Sequence, residues 1–304
     1  MKKVIVIVGP TGVGKTKLGI ALAKEYNGEI ISGDSMQIYR GMNIGTAKVG
    51  AQEMEGVVHH LIDIKDPDET YSVKEFQDMV RDVIDTIHFR GKLPIIVGGT
   101  GLYIKAALYD YEFKETTSNS IKYKSKYETL DNYQLHQYLQ SFDSKTAAQL
   151  HPNNRQRILR AIAIYETTGT KKSDILASQK HTCLYDASFI GLTIERDILY
   201  QRINDRVDEM IDTGLEKEVT SLYEKGYNKN LQSMKAIGYQ EWFAYFDNMQ
   251  SKEDTIALIK KKSRNYAKRQ YTWFKHQVPV TWFTVNLEQF EKTIHEVIQA
   301  IKKD

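Results

Sequence analysis

The 304-residue sequence contains a single cysteine, Cys183. That excludes an intrachain disulfide framework and any zinc site built from several cysteines. Long apolar runs are missing as well. The first one spans only Val4–Val8 and is broken at once by Gly9-Pro10-Thr11-Gly12, too short for a signal-peptide core. No stretch reaches the length of a membrane span. The expectation is a cytoplasmic protein with no membrane association. Neither sign of charge dominates: 42 Lys and Arg against 39 Asp and Glu leave +3 at pH 7. A polyanionic partner therefore has to be recognised through a local patch. Internal repeats and low-complexity linkers are also absent. What remains, 41% hydrophobic and 27% charged residues, is the composition of a packed chain long enough for one large domain or two ordinary ones.

Patterning along the chain alternates strands with helices. Lys3–Val8 is a continuous β-branched run of the kind buried in a parallel sheet. A helix is expected from about Lys15 to Tyr26, with Leu18, Ala21, Leu22 and Tyr26 on one face. Glu29–Ser32 reads as a second strand ending in the polar turn Gly33-Asp34-Ser35. Ser72-Val73-Lys74-Glu75 has capping-box spacing and predicts a helix towards Phe89. Lys92–Val97 is a third strand, closed by Gly98-Gly99-Thr100-Gly101. This order implies an α/β fold, a parallel sheet flanked by helices, which the G-x-x-x-x-G-K-[ST] pattern at 9–16 makes phosphate-loop NTPase-like. After about Tyr111 the β-branched runs stop and tyrosine-rich helical patterns take over, including Arg155–Glu166. The expectation is a helical insertion over 114–186 that divides the α/β core into 1–113 and 187–304. Sheet-like sequence returns at Ser188–Ile194, followed by helices at Asp197–Asp212, Leu215–Lys225 and Glu253–Lys275. A last strand at Val280–Val285 precedes an amphipathic C-terminal helix.

Gly9-Pro10-Thr11-Gly12-Val13-Gly14-Lys15-Thr16 fits the phosphate-loop pattern G-x-x-x-x-G-K-[ST], with a strand before it and a helix after it. Glycines let backbone N–H groups curl around an anion, and the helix that follows adds its positive end. Lys15 supplies a charge for the terminal phosphate and Thr16 a hydroxyl for Mg²⁺. The pattern specifies a phosphate and leaves its identity open. A later apolar strand ending in Asp, the usual second Mg²⁺ ligand of nucleoside triphosphatases, is missing: Leu93–Val97 runs into Gly98-Gly99-Thr100. Asp34, just beyond a strand end, is the candidate base, since ligands of open parallel sheets sit outside the carboxyl ends of the strands. Alternatively it caps a helix starting near Met36. His59-His60 lacks partners at metal-ligand spacing and reads as structural. Between Thr255 and Asn286 there is no acidic residue, while Lys260, Lys261, Lys262, Arg264, Lys268, Arg269 and Lys275 interleave with Tyr266, Tyr271, Trp273 and Phe274. Such a stretch suits phosphate neutralisation with base stacking, or else is a solvated helix face. Arg155, Arg157 and Arg160 leave the same two readings open.

Taken together, several blocks resemble the bacterial tRNA dimethylallyltransferase (tRNA isopentenyltransferase) family. They are the phosphate loop, Asp34–Lys48, His59-His60-Leu61-Ile62-Asp63, Gly98–Tyr103, His151–Arg157, Lys235-Ala236-Ile237-Gly238-Tyr239 and Lys268–Phe274. They run in family order across nearly the whole chain. The resemblance implies transfer of a dimethylallyl group from dimethylallyl diphosphate to the N6 amine of the adenosine 3′-adjacent to the anticodon. The loop, Gly9 to Thr16, would hold the diphosphate with Mg²⁺ at Thr16, assisted by Arg206 or its neighbour Arg202. Asp34 would act as base and Thr100 would line the donor channel. Asp34, Ser35, Met36 and Gln37 would receive the adenosine. The tRNA anticodon stem-loop would meet Gln156, Arg157, Ile158, Leu159 and Arg160, then Lys235, Gly238 and Tyr239, then Lys268, Arg269 and Gln270. A monomer is expected. The rival enzyme is a phosphate-loop small-molecule kinase, which would consume ATP. A prenyltransferase acting on a free adenine nucleotide would lack the insertion and the basic surfaces, and a non-catalytic RNA-binding module would not need Lys15, Thr16 and Asp34 in one crevice.

Overall fold

The computed structural model describes residues 1–111, 113, 126–178 and 181–302. The chain divides into two compact units, one formed by Met1–Tyr109 with Cys183–Asp304 and the other by Asp110–Thr182. The divisions fall a few residues before the expected 113/114 and 186/187. The reason is a bridge between Tyr109 and Cys183, which ties both chain crossings into the first unit. Residues 114–125, where the insertion was expected to begin, lie outside the described residues.

The first unit is built on six strands: β1 (Lys3–Val8), β2 (Gly28–Ser32), β3 (His59–His60), β4 (Leu93–Val97), β5 (Asp186–Thr193) and β6 (Thr281–Thr284). They pair in the order β3-β2-β4-β1-β5-β6, every pairing parallel. Successive residues of β1 point to opposite faces. Val4, Val6 and Val8 join one buried cluster, Ile5 and Ile7 the other. Both faces are therefore covered, which is why β1 is apolar without alternation. One face carries helices α2 (Val73–Phe89) and α3 (Gly101–Leu108), through Phe76, Val80, Ile84 and Ile104. The other carries α1 (Lys15–Glu25), through Leu18, Leu22 and Ala23, and the C-terminal helix Phe290–Ile301, through Ile294 and Val297. Ser72 accepts the Glu75 N–H at the start of α2, the N-cap half of the expected capping box and worth about 1 kcal/mol, while the Glu75 carboxylate pairs with Lys65 at 2.8 Å. After β5 come the helices Arg196–Asp212 and Leu215–Glu224, and then the long helix Lys252–Gln277.

The second unit packs Leu135, Leu139, Ile158, Ala161 and Ile162 from the helices Asn132–Phe142 and Arg155–Thr168 into a separate small core. Asp131 and Gln134 close a reciprocal capping box at the first of these helices. Arg155 opens the second and donates to the carbonyls of Leu130 at 2.7 Å and Tyr127 at 2.8 Å. It thereby fastens this helix to the turn that precedes Asn132.

Candidate active site

The chain leaves β1 through a loop in which Gly9, Gly12 and Gly14 all take positive φ, at 139°, 87° and 92°. Residues with a Cβ rarely adopt such angles, so the curl that aims successive N–H groups inward depends on glycine here. The loop opens onto a crevice of about 850 Å³ lined on one side by Thr11, Lys15 and Thr16 and on the other by Asp34, Ser35, Met36 and Gln37. Pro10 and Val13 are buried, Val13 within the α1-side core, so they shape the loop through its backbone.

Cations crowd the loop. Lys15 Nζ donates to Pro10 O at 2.7 Å, Arg202 Nε to Gly12 O at 2.9 Å, and Arg206 to Thr11 Oγ1 at 3.2 Å. Both arginines come from the helix Arg196–Asp212, where their four-residue spacing puts them on one face. Arg202 is exposed and Arg206 more enclosed. Burial depresses Lys15 to about 8, the Arg206 charge pushes the same way, and Asp34 opposes both. A concentration of buried positive charge of this kind is relieved by an anion. Thr16 is exposed at the first turn of α1.

Across the crevice, Asp34 lies beyond the end of β2 in a turn rather than ahead of a helix. Its Oδ1 accepts the Met36 N–H at 2.8 Å, which is the capping geometry without the helix. Burial raises the Asp34 carboxyl above its ordinary range, against the lowering by the Met36 N–H and by the Lys15 charge. Thr100 follows β4 and accepts the Ser35 N–H at 3.2 Å. The Gln37 amide is fully engaged, donating to Thr46 O at 3.2 Å and Ala47 O at 3.3 Å while accepting from the Ser32 hydroxyl at 3.2 Å.

The long helix Lys252–Gln277 closes the crevice with Tyr266, Arg269 and Gln270. Gln270 was expected on the RNA surface. It is instead buried, accepting the Thr11 N–H at 3.2 Å and donating to Gly99 O at 3.1 Å, so it braces the phosphate loop against the β4 turn. Tyr266, read from sequence only as an aromatic in a basic stretch, sits between Asp34, Thr100 and Gln270. Burial first and the Asp34 charge second push its hydroxyl up to about 12. Its four-residue spacing from Gln270 was the available signal. Arg269 stacks over the Tyr266 ring at 5.6 Å, and Lys268 is exposed on the outer face of the helix.

Lys235, Gly238 and Gln240 also line the crevice. Tyr239, expected at the RNA surface, is wholly buried. Ile158 is corrected in the same way, being fully buried in the core of the second unit. Around it Gln156, Arg157 and Arg160 are exposed and Leu159 is partly buried. His59 and His60 form β3, where His60 pairs with the buried Glu29 at 2.6 Å, a structural use. Among the described residues no group of three or more His, Cys, Asp and Glu is placed to hold a metal ion.

The sequence profile described as IPP transferase matches residues 37–277. The chain belongs to the IPP transferase family. It is 50% identical over 302 residues to the tRNA dimethylallyltransferase of Anoxybacillus flavithermus, a match covering 99% of this chain and 96% of that one. The Bacillus cytotoxicus tRNA dimethylallyltransferase is 53% identical over 305 residues, covering 99% and 95%. Among solved structures, the tRNA isopentenylpyrophosphate transferase of Bacillus halodurans superposes with a TM-score of 0.76 at 45% identity, covering all of this chain and 96% of the other. A eukaryotic dimethylallyltransferase, captured acting on tRNA, gives 0.85 at 34% identity, covering all of this chain and 79% of its own. The all-parallel sheet flanked by helices and the transferase class both accord with this membership.

Proposed function

We propose that this family member transfers a dimethylallyl group from dimethylallyl diphosphate to N6 of the adenosine 3′-adjacent to the anticodon of tRNA. The carrying observation is that a cationic anion cradle and a carboxylate face each other across one crevice, close enough for Lys15 and Asp34 to perturb one another. The diphosphate lies along the loop amides, with Lys15, Arg206 and Arg202 as counter-charges. These groups stabilise the negative charge that grows as the allylic C–O bond breaks and its electron pair leaves with the diphosphate. The N6 lone pair forms the new N–C bond, and Asp34 takes one of the two N6 protons. Its raised basicity suits that role, because a more basic carboxylate is a better acceptor near neutral pH. The Thr16 hydroxyl would hold Mg²⁺, which binds through few protein ligands together with substrate phosphate oxygens and, when bound, neutralises charge on the leaving group.

For the amine to reach the donor, the adenosine must leave its stack, which an anticodon-loop nucleotide does more cheaply than a paired one. Ser35 and Met36 would border the flipped base. Lys235, Lys268 and Arg269 on the first unit, and Gln156, Arg157 and Arg160 on the second, would take the RNA backbone. We place the reaction in the cytoplasm, carried out by a monomer. Among the described residues no helix is long and apolar enough to cross a membrane.

The test is incubation with labelled dimethylallyl diphosphate and unmodified tRNA in the absence of ATP. Label should appear on N6 of that adenosine. A strict need for ATP, or transfer of phosphate instead of the prenyl group, would replace this reading with a phosphate-loop kinase.

A further inference from the structure

We infer that Glu218 is a positioning residue for the acceptor side of the crevice, acting with the Tyr239 hydroxyl to hold the 43–47 loop on which Gln37 is anchored; this rests on the transfer reaction proposed above. Glu218 lies in the first turn of the helix Leu215–Glu224, where an acidic residue would ordinarily complement the helix dipole. Its carboxylate points elsewhere. It accepts the N–H of Asn43 at 2.9 Å, of Ile44 at 2.9 Å and of Gly45 at 3.2 Å, and the Tyr239 hydroxyl at 2.6 Å. Three successive backbone donors and a phenol on one carboxylate form an anion nest whose anion is part of the chain.

The contact is close enough to dictate sequence on both sides. A Cβ on Gly45 would stand 2.4 Å from the Tyr239 ring, so only glycine fits against that buried tyrosine. The loop fixed at 43–45 then presents the Thr46 and Ala47 carbonyls to the Gln37 amide. Gln37 in turn accepts from Ser32 at the end of β2, one residue before the turn that carries Asp34. An unbroken set of hydrogen bonds thus runs from Glu218 through loop 43–47 and Gln37 to the strand end that launches Asp34. None of these hydrogen bonds has a partner in the phosphate loop. Tyr239 belongs to the segment whose Lys235, Gly238 and Gln240 line the same crevice, so the carboxylate also ties that segment to the Asp34 turn.

The discriminating experiment is a set of steady-state constants for both substrates in the full-length chain carrying Glu218→Gln or Tyr239→Phe. For Glu218→Gln the inference predicts kcat lower by about tenfold to a hundredfold, the range for small misplacement of reacting groups, and a KM for tRNA raised about tenfold. The KM for dimethylallyl diphosphate should stay within about twofold. Tyr239→Phe deletes one hydroxyl and keeps the ring against Gly45, so it should move the same two constants by about two- to fivefold with the melting transition preserved. A merely structural glutamate would instead lower the melting temperature and leave the constants of the folded enzyme alone, or shift those of both substrates together. Parental constants for tRNA and for kcat in both variants, or a donor KM raised as much as that for tRNA, would overturn the inference and leave the transfer reaction standing. A parent chain that moves no prenyl group onto tRNA would remove that reaction, and this inference with it.

Discussion

The two walls of the crevice are built on different plans. The donor wall is local: Gly9 to Thr16 are contiguous, and their backbone N–H groups and positive-φ glycines make the cradle, with Arg202 and Arg206 added from one helix face. The acceptor wall is assembled from separated segments. Asp34–Gln37 follows β2 with its Ser35 N–H held from behind by Thr100, which does not itself line the crevice; loop 43–47 hangs on Glu218, and Tyr266 comes from the long helix. The difference teaches that binding a diphosphate needs little beyond one loop and its counter-charges. Presenting a base to an incoming nucleotide requires several elements to agree in position. Substitutions on the two walls should therefore fail in different ways.

The largest effect is expected on the acceptor wall. Asp34→Asn keeps the side-chain shape and the Met36 contact but cannot take a proton. Single-turnover transfer should slow by about 10²–10⁴ while tRNA affinity changes little. A parental rate would remove Asp34 from the reaction. Next comes the donor wall, where Lys15→Ala should cost about 10²–10³ and, unlike the Asp34 variant, raise the KM for the prenyl diphosphate. Equal KM values for parent and variant would mean that Lys15 does not face the diphosphate. Within the same wall, Arg206→Ala should weaken donor binding more than Arg202→Ala, by about tenfold against severalfold, because the more enclosed guanidinium is less screened. A reversed ranking by titration with the diphosphate would hand the leading role to Arg202. The smallest change belongs to the RNA surface. Replacing Lys268 and Arg269 together with Ala should flatten the salt dependence of tRNA binding by about one unit of slope per lost phosphate contact. Lys268→Ala alone is the cleaner form, because Arg269 also stacks on Tyr266. An unchanged slope would make this helix face merely solvated, and Arg157 and Arg160 would be tested next.

What was legible in the sequence follows the same division. The phosphate loop could be read because its chemistry resides in adjacent residues, and β1 because burial on both faces leaves an unbroken apolar run. The strand order β3-β2-β4-β1-β5-β6 was not legible, since crossover connections do not record which edge they reach. The family blocks contain packing residues as well as contact residues. Ile158 stands at helical spacing from Ala161 and Ile162, an apolar stripe that marks it as core. Tyr239 is buried because its ring and hydroxyl are spent on Gly45 and Glu218. Gln270 braces the loop because it shares a helix face with Tyr266. Glu218 itself could not have been found: with Glu216 beside it, it looks like any acidic first turn, and only the folded loop shows where its carboxylate points.

The most direct test of the account is the pH dependence of single-turnover transfer at saturating substrates. Asp34 must be unprotonated to act, and burial has raised its carboxyl above the ordinary aspartate range. The rate should therefore fall as pH is lowered, with a midpoint above that of a free aspartate. In Asp34→Asn the acid limb should vanish along with most of the rate. A parent enzyme whose rate stays level down to the ordinary aspartate range, or an Asp34→Asn variant that keeps the same acid limb, would contradict the assignment of Asp34 as the base.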